Sequence, residues 1–367
     1  MNSVLVLHPS DEWYGADVML FRTVEALIGS GQRPVVWLPK DVRYASQKLS
    51  LKLTGINVPV ENHDLPVLRR SALRPSTWRR LSRDTIRLYL DLKRIAPTTI
   101  LVNTSALSLC VAISRAAKVP KTVVHVHERL QSRESVALGL LMRGASKVIA
   151  ISNGVERSLP RRLRARATII LDGVADPGSR AQMPSGPQIR FLFIGRWTPR
   201  KGLRELAAAW TYLDPCKYHL TIAGGYPPTG PRAVVDLAAI SSRPNVRVVG
   251  EIANTGSLID ESHVIVVPSQ MHEGLGLVAV EALSRGRPVL CTNVDGLNEV
   301  VDERVGWFLP VNGSAKEWAD TIRQLTIHEV TKKSVSARTK YLQLFDLKTY
   351  SEKIRAEFTT TCAEDGP

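Results

Sequence analysis

Short apolar runs alternate with helical spacing along the whole chain. Val4–Leu7 is apolar and stops at His8-Pro9. Ala16, Met19, Leu20, Val24, Leu27 and Ile28 then recur at the period of a helix with one apolar face. Val35–Leu38 ends at Pro39, and Ile100–Val102, Thr122–Val126 and Lys147–Ile151 repeat the strand pattern. Strands separated by helical stretches predict βαβ units and a parallel sheet. Residues 176–187 are dense in Pro, Gly and Ser and read as an interdomain linker. A second series follows at Ile189–Ile194, His219–Ala223, Val246–Val249, Val264–Val267, Pro288–Cys291 and Trp307–Leu309. The C-terminal segment predicts a helix with Tyr350, Ile354 and Phe358 on one face.

Length agrees with this division, since 367 residues hold two domains at roughly 150 each. A composition of 44% hydrophobic and 23% charged residues excludes a disordered or collagen-like chain. No apolar run approaches the ~20 residues of a membrane-spanning helix. Residue 1 leads almost directly into the first apolar run, so no signal peptide is expected. Cys110, Cys216, Cys291 and Cys362 are widely spaced without a C-x-x-C pair. They predict neither a disulfide framework nor a structural zinc site, and fit a reducing cytoplasm.

Charge changes the picture more. The net charge is +15, yet residues 1–180 hold 28 Lys and Arg against 14 Asp and Glu, and residues 181–367 hold 21 against 20. The first half is therefore expected to meet an anionic partner.

In open parallel sheets, ligands bind beyond the carboxyl ends of the strands, so the strand-to-helix loops carry the candidate chemistry. After Val264–Val267 comes Pro268-Ser269-Gln270-Met271-His272-Glu273-Gly274-Leu275-Gly276-Leu277, which opens a helix containing Glu281. Glycines allow close backbone approach, and free N–H groups at a helix start suit phosphate. A carboxylate such as Glu281 can accept two hydrogen bonds from vicinal hydroxyls. Gly274-x-Gly276-x-x-Ala279 with Asp295 also satisfies a dinucleotide fingerprint, but that fingerprint belongs in the first βα turn of a domain, and this one follows about the fourth strand. After Ile189–Ile194 comes Gly195-Arg196-Trp197-Thr198-Pro199-Arg200-Lys201-Gly202. Cations are unfavourable at a helix start. An anionic ligand, held by Arg196 as a fork and Lys201 as a point charge, would explain them.

Together these motifs resemble glycosyltransferase family 4, retaining sugar transferases of the GT-B fold. Gly195-Arg196-x4-Lys201-Gly202 resembles the family's diphosphate-binding turn, and Glu273-x7-Glu281 its two-glutamate motif. Gly286-Arg287-Pro288-Val289 and Asp295-Gly296-Leu297-Asn298-Glu299 resemble the segments that follow. The resemblance implies an α/β protein of two Rossmann-like, doubly wound domains facing a cleft. Residues 1–180 would bind the acceptor, with the helix 346–361 packing back on them, and residues 188–345 would bind the donor. It implies that Arg196 and Lys201 neutralise the leaving nucleoside diphosphate, Glu281 holds the ribose, and Glu273 contacts the transferred sugar. Gly195 and the backbone of Gly274, Leu275, Gly276 and Leu277 would lie against donor sugar and phosphate. His127, at the end of Val123-Val124-His125-Val126-His127-Glu128, resembles the family's active-site histidine, with His125 packed inside the sheet. The turn Tyr14-Gly15-Ala16-Asp17 matches a glycine-rich loop, though Tyr14 stands where the family often has a first glycine. The implied chemistry uses no cofactor and no metal, with the leaving phosphate accepting the acceptor's proton.

Residues 69–94 carry nine Lys and Arg against two Asp and Glu, with Trp78, Leu81, Thr85, Leu88 and Leu92 at helical spacing. This predicts a basic amphipathic helix with a core-facing stripe. Arg157, Arg161, Arg162, Arg164 and Arg166 form a second cluster. An anionic membrane surface at the inner face, or a lipid-linked diphosphate acceptor, would satisfy both clusters. Nucleic acid is disfavoured, because no known nucleic-acid module appears. The alternatives are a GT-B sugar-nucleotide epimerase, a basic nucleic-acid-binding protein, and an inactive nucleotide-binding protein.

Overall fold

The computed structural model describes residues 3–40, 48–69, 75–227, 231–252 and 254–359. It divides into two compact units. Asp172 closes the main stretch of the first, Gly173–Leu347 form the second, and the chain returns to the first at Lys348.

The first unit is a seven-stranded sheet of β1 (Ser3–Leu7), β2 (Arg33–Pro39), β3 (Val60–His63), β4 (Thr99–Asn103), β5 (Lys121–Val126), β6 (Lys147–Ala150) and β7 (Ala167–Ile169). The order is β3-β2-β1-β4-β5-β6-β7, and every neighbouring pair is parallel. Val4–Leu7, Ile100–Val102 and Val123–Val124 are buried, because helices cover both faces of such a sheet and central strands read as continuous apolar runs. The two edge strands, β3 and β7, are short and largely half-exposed. They carry no apolar run, which is why the hydrophobic pattern does not announce them.

The helix Leu347–Phe358 lies on this unit and buries Tyr350, Ile354 and Phe358. The Tyr350 and Thr23 hydroxyls are 2.7 Å apart, Arg355 Nε donates to the Ala26 carbonyl at 3.2 Å, and Lys121 Nζ donates to the Glu357 carbonyl at 2.6 Å. Residues 360 and 361, the end of the helix expected from sequence, lie outside the described residues.

The second unit repeats the plan with β8 (Ile189–Ile194), β9 (Tyr218–Ala223), β10 (Val246–Gly250), β11 (Val264–Val267), β12 (Val289–Thr292) and β13 (Gly306–Leu309), in the parallel order β10-β9-β8-β11-β12-β13. Phe191, Phe193, Trp210 and Trp318 anchor its core. The boundary differs from the breaker-rich stretch that marks it in the sequence. Residues from Gly173 onward belong to the second unit, where the Val174 N–H bonds the Phe345 carbonyl at 2.9 Å, Arg338 pairs with Asp176 at 2.6 Å, and a buried arginine holds the residues that follow. Arg287 is fully buried and donates to the carbonyls of Ala181 (3.1 Å), Gln182 (2.6 Å), Ile259 (3.2 Å) and Asp260 (2.8 Å). His263 Nε2 sits 3.0 Å from the Pro184 carbonyl. The linker is therefore stapled to one unit rather than left as a spacer.

The helix Pro75–Ile95 corrects the single apolar stripe. Leu88 and Leu92 are buried beside Asp84, but Trp78 is 59% exposed. At about 100° per residue, Ile86 and Leu90 fall opposite Leu88, and they are 60% and 58% exposed. Arg79, Arg83, Arg87, Lys93 and Arg94 surround them and are also exposed. The helix thus has a core face and a second face that is both apolar and basic. Residues 70–74 of this basic segment lie outside the described residues. In the second cluster, Arg164 donates to the Arg157 and Leu159 carbonyls, and Arg166 to the Ala145 carbonyl, so part of that charge caps the chain's own backbone. Among the described residues no helix is long and apolar enough to cross a membrane. Cys110, Cys216 and Cys291 are free thiols, and Cys362 lies outside the described residues.

Candidate functional site

In both sheets the order reverses at one point, between β1 and β4 and between β8 and β11. A crevice opens beyond the carboxyl ends of the strands at such a switch point. In the second unit, the turn after β8 and the loop after β11 meet there.

The turn begins at Gly195, whose N–H reaches the Ala223 carbonyl at 3.2 Å, and whose carbonyl would lie 1.9 Å from a Cβ on Gly224. Arg196 follows with its side chain exposed, and buried Trp197 anchors the turn edge-on to Tyr226. Pro199–Lys201 form one 3-10 turn, and Gly202 closes it at φ +70°. A Cβ at Gly202 would sit 1.9 Å from the Pro268 carbonyl, so this glycine both adopts the left-handed conformation and lets the two loops touch. The Gln270 N–H bonds the Arg200 carbonyl at 2.8 Å, and Arg200 Nη2 donates to the His272 carbonyl at 2.8 Å.

Glu273 sits at the centre and is 8% exposed. Lys201 Nζ donates to its Oε1 at 2.8 Å, Ser269 Oγ donates to the same oxygen at 2.5 Å, and Arg200 lies 3.9 Å from Oε2. Burial pushes this carboxyl up, but the Lys201 and Arg200 cations and the two hydrogen bonds outweigh it and hold the pKa below its ordinary value. The loop continues through Gly274 and buried Leu275 to Gly276, which caps the helix Leu277–Ser284 at φ +95°. Glu281 is half-buried on that helix. Gly296 closes the loop from behind, where a Cβ would meet the Glu273 carbonyl at 2.4 Å, and the Glu273 N–H bonds the Asp295 carbonyl at 3.0 Å. The structure thus brings Gly195, Arg196, Lys201, Glu273, Gly274, Leu275, Gly276, Leu277 and Glu281 onto two touching loops and one helix. Sequence reasoning missed Ser269 and Arg200 as partners of Glu273, although both stand inside the quoted motifs.

In the first unit, His127 follows β5 and is half-buried, with Nε2 2.9 Å from Asn103 Oδ1. Asn103 Nδ2 reaches His8 Nδ1 at 2.9 Å, and His8 Nε2 reaches Asp17 Oδ1 at 2.9 Å. Burial and the neighbouring His125 and His8 hold His127 well below the ordinary imidazole pKa, so it stays neutral. His125 is fully buried in the sheet. Gly15 opens the helix Gly15–Ile28 with no atom within 4 Å of where a Cβ would stand. The chain's own packing therefore does not require a glycine there. His8, Asp17 and Asn103 escaped the sequence reading because they come from three separate elements.

Residues 188–328 match the sequence model of the family described as glycosyl transferases group 1. The second unit is therefore similar in sequence to group 1 glycosyltransferases over that segment. An uncharacterized glycosyltransferase of Methanocaldococcus jannaschii is 24% identical over 201 residues, 53% of this chain and 54% of that protein. The phosphatidyl-myo-inositol mannosyltransferase of Mycobacterium leprae is 28% identical over 240 residues, 62% of this chain and 63% of that protein. The chain thus spans between about half and 63% of these relatives' length. Among solved structures, Anabaena HepE in complex with UDP and glucose superposes with a TM-score of 0.79 at 20% identity, over 96% of this chain and 98% of HepE. At that identity the likeness shows the fold, which is GT-B with two tandem Rossmann-like units. The matched segment carries the Lys201–Glu273 pair and includes Gly195–Gly202 and Pro268–Glu281.

Proposed function

We propose that the protein is a retaining, metal-independent glycosyltransferase. It moves a hexose or related sugar from a nucleotide-diphosphate sugar to a glycan or lipid-linked acceptor in cell-surface polysaccharide or glycolipid synthesis. The carrying observation is the 2.8 Å Lys201–Glu273 pair, formed where two glycine-dependent loops touch at the switch point. Breaking the anomeric C–O bond leaves negative charge on the diphosphate. Arg196, Lys201 and the N–H groups at the start of helix Leu277–Ser284 supply preorganised positive potential for it. Glu281 accepts the ribose hydroxyls, and Glu273 receives hydroxyls of the sugar. Lys201 and Ser269 hold Glu273 Oε1, which fixes the carboxylate as an acceptor for sugar hydroxyls, and the reaction runs with departure and attack on one face. The acceptor oxygen forms the new glycosidic bond as its proton passes to the leaving phosphate oxygen. In the first unit, neutral His127 faces sugar, and the open space beside Gly15 admits a ligand close to the backbone.

A donor panel of UDP-, GDP-, dTDP- and CDP-sugars in EDTA tests this reading, beginning with UDP-glucose because HepE holds UDP and glucose. One nucleotide is expected to raise the unfolding temperature selectively and to be released slowly as the diphosphate. Glu281→Ala is expected to raise the donor KM by about 10–100-fold, the loss of hydrogen bonds to a charged group. Isomerisation of the free sugar nucleotide would establish an epimerase instead, and nucleotide binding without release from any donor would establish an inert binder.

The exposed face of helix Pro75–Ile95 supports attachment to the inner membrane surface. Basic side chains interleaved with Trp78, Ile86 and Leu90 suit an anionic interface, where each nearby cation contributes about 1 kcal/mol. Co-sedimentation with vesicles rich in anionic lipid, absent with neutral ones and weakened by Ile86→Asp with Leu90→Asp, is the expected result. Equal binding to neutral vesicles, or tight binding to nucleic acid alone, would remove the membrane role.

A further inference from the structure

Three donor side chains converge at the carboxyl edge of the first unit's sheet. His125 and His127 stand two residues apart at the end of β5, so both leave the same face. Their rings are 4.1 Å apart, tilted by 44°. Asp172 arrives just beyond β7, and one ligand atom from each of the three lies within 4.8 Å of the others.

Two of the three are orphaned. His125 is fully buried and Asp172 is 4% exposed. Among the described residues neither nitrogen of His125 nor Oδ1 of Asp172 has a hydrogen-bond partner. Buried polar groups are almost always paired, so each exception asks for a cause. His127 is oriented from behind. Asn103 turns its amide toward His8, leaving Oδ1 to accept from His127 Nε2. That fixes the proton on Nε2 and leaves the Nδ1 lone pair for a ligand. A carbonyl oxygen behind an imidazole is the usual outer partner of a metal-bound histidine.

We infer that His125, His127 and Asp172 bind one divalent transition-metal ion of the zinc class through two imidazoles and one carboxylate. Bonds of about 2.1 Å around a tetrahedral ion set ligands about 3.4 Å apart, so small side-chain rotations close the site. The mixed nitrogen and oxygen donors select zinc and its neighbours over magnesium or calcium, which prefer oxygen alone. His127 is half-buried, and three protein ligands around a tetrahedral ion leave the fourth position for water. The spacing hides the site in the sequence, since His-x-His is common and Asp172 lies far along the chain. The consequence for activity rests on the proposed function. A metal on His127 takes the imidazole assigned to the sugar, so zinc inhibits transfer although transfer itself needs no metal.

The test uses the whole protein, stripped with EDTA, desalted and titrated with cobalt(II) chloride. One equivalent is expected to bind with visible absorption bands of a low-coordinate site, displaced by zinc and untouched by excess magnesium. His125→Gln and Asp172→Asn keep size and shape, and each is expected to weaken cobalt binding by at least about tenfold with an unchanged circular dichroism spectrum. No visible bands in the wild type, or wild-type affinity in both folded variants, overturns the site. Zinc is expected to lower turnover, and less so in His125→Gln. Cobalt binding that leaves turnover untouched keeps the site and overturns the sugar contact of His127 instead.

Discussion

Lys201→Ala lowers kcat by about 10²–10³-fold, the loss that follows removal of one preorganised donor at a developing negative charge. Two consequences of the substitution must be separated. Lys201 faces the leaving diphosphate in the proposed reaction, and it also neutralises Glu273, which is 8% exposed. Without Lys201, the nearest cation left to Glu273 is Arg200 at 3.9 Å. A buried carboxylate stripped of its partner costs stability, so the single variant also unfolds earlier. The double variant Lys201→Ala with Glu273→Gln removes that stranded charge. It recovers the unfolding temperature but not the rate. Lys201→Arg recovers little, because a planar fork does not reproduce a compact ammonium between Ser269 and a phosphate. Single-turnover measurement of diphosphate release at saturating donor reads the effect. A single variant within about threefold of wild type, well under the 10²-fold floor, would remove Lys201 from the reaction.

Arg287→Ala destabilises the second unit by about 3–5 kcal/mol, since hydrogen bonds to a charged group contribute about 1.5–3 kcal/mol each and four acceptors lose theirs. Its guanidinium serves four carbonyls from two separate stretches, Ala181–Gln182 and Ile259–Asp260, and reaches Met183 Sδ at 3.4 Å. Burial lowers its pKa to about 10, with Asp260 opposing the shift, so it remains charged at neutral pH. Truncation releases the linker and leaves buried acceptors unpaired. At about 2–4 °C per kcal/mol for a unit of this size, calorimetry should show a loss near 10 °C. Arg287→Lys should lose nearly as much, since an ammonium cannot reach both stretches in one plane. Turnover per folded molecule at low temperature stays near wild type, because Arg287 touches neither loop of the site. An unchanged unfolding temperature would contradict the staple.

The sequence marks residues 176–187 as breaker-rich, and a free spacer is the natural reading of that texture. The buried Arg287, the Arg338–Asp176 ion pair at 2.6 Å and the His263–Pro184 contact turn the stretch into part of the second unit. Helix Pro75–Ile95 shows the same limit. A helical period identifies Leu88 and Leu92 as neighbours of the core, but not that Trp78, Ile86 and Leu90 remain outside it.

The amino-acid sequence by itself determined the two parallel α/β units, because strands buried on both faces need continuous apolar runs, as at Val4–Leu7 and Val264–Val267. It also singled out the two loops that meet at the switch point, because Gly202, Gly276 and Gly296 punctuate them beside Arg196, Lys201 and Glu273. The edge strands β3 and β7 were silent, since a half-exposed strand needs no such run. Tertiary structure alone decided who meets whom. Lys201 and Glu273 are 72 residues apart and touch because the strand order reverses between β8 and β11. The His8, Asp17, Asn103 and His127 chain, and Asp172 beside His125, arise because parallel strands end side by side at one edge. Hydrophobic periodicity records which face of an element is buried. It carries no record of which strand ends become neighbours.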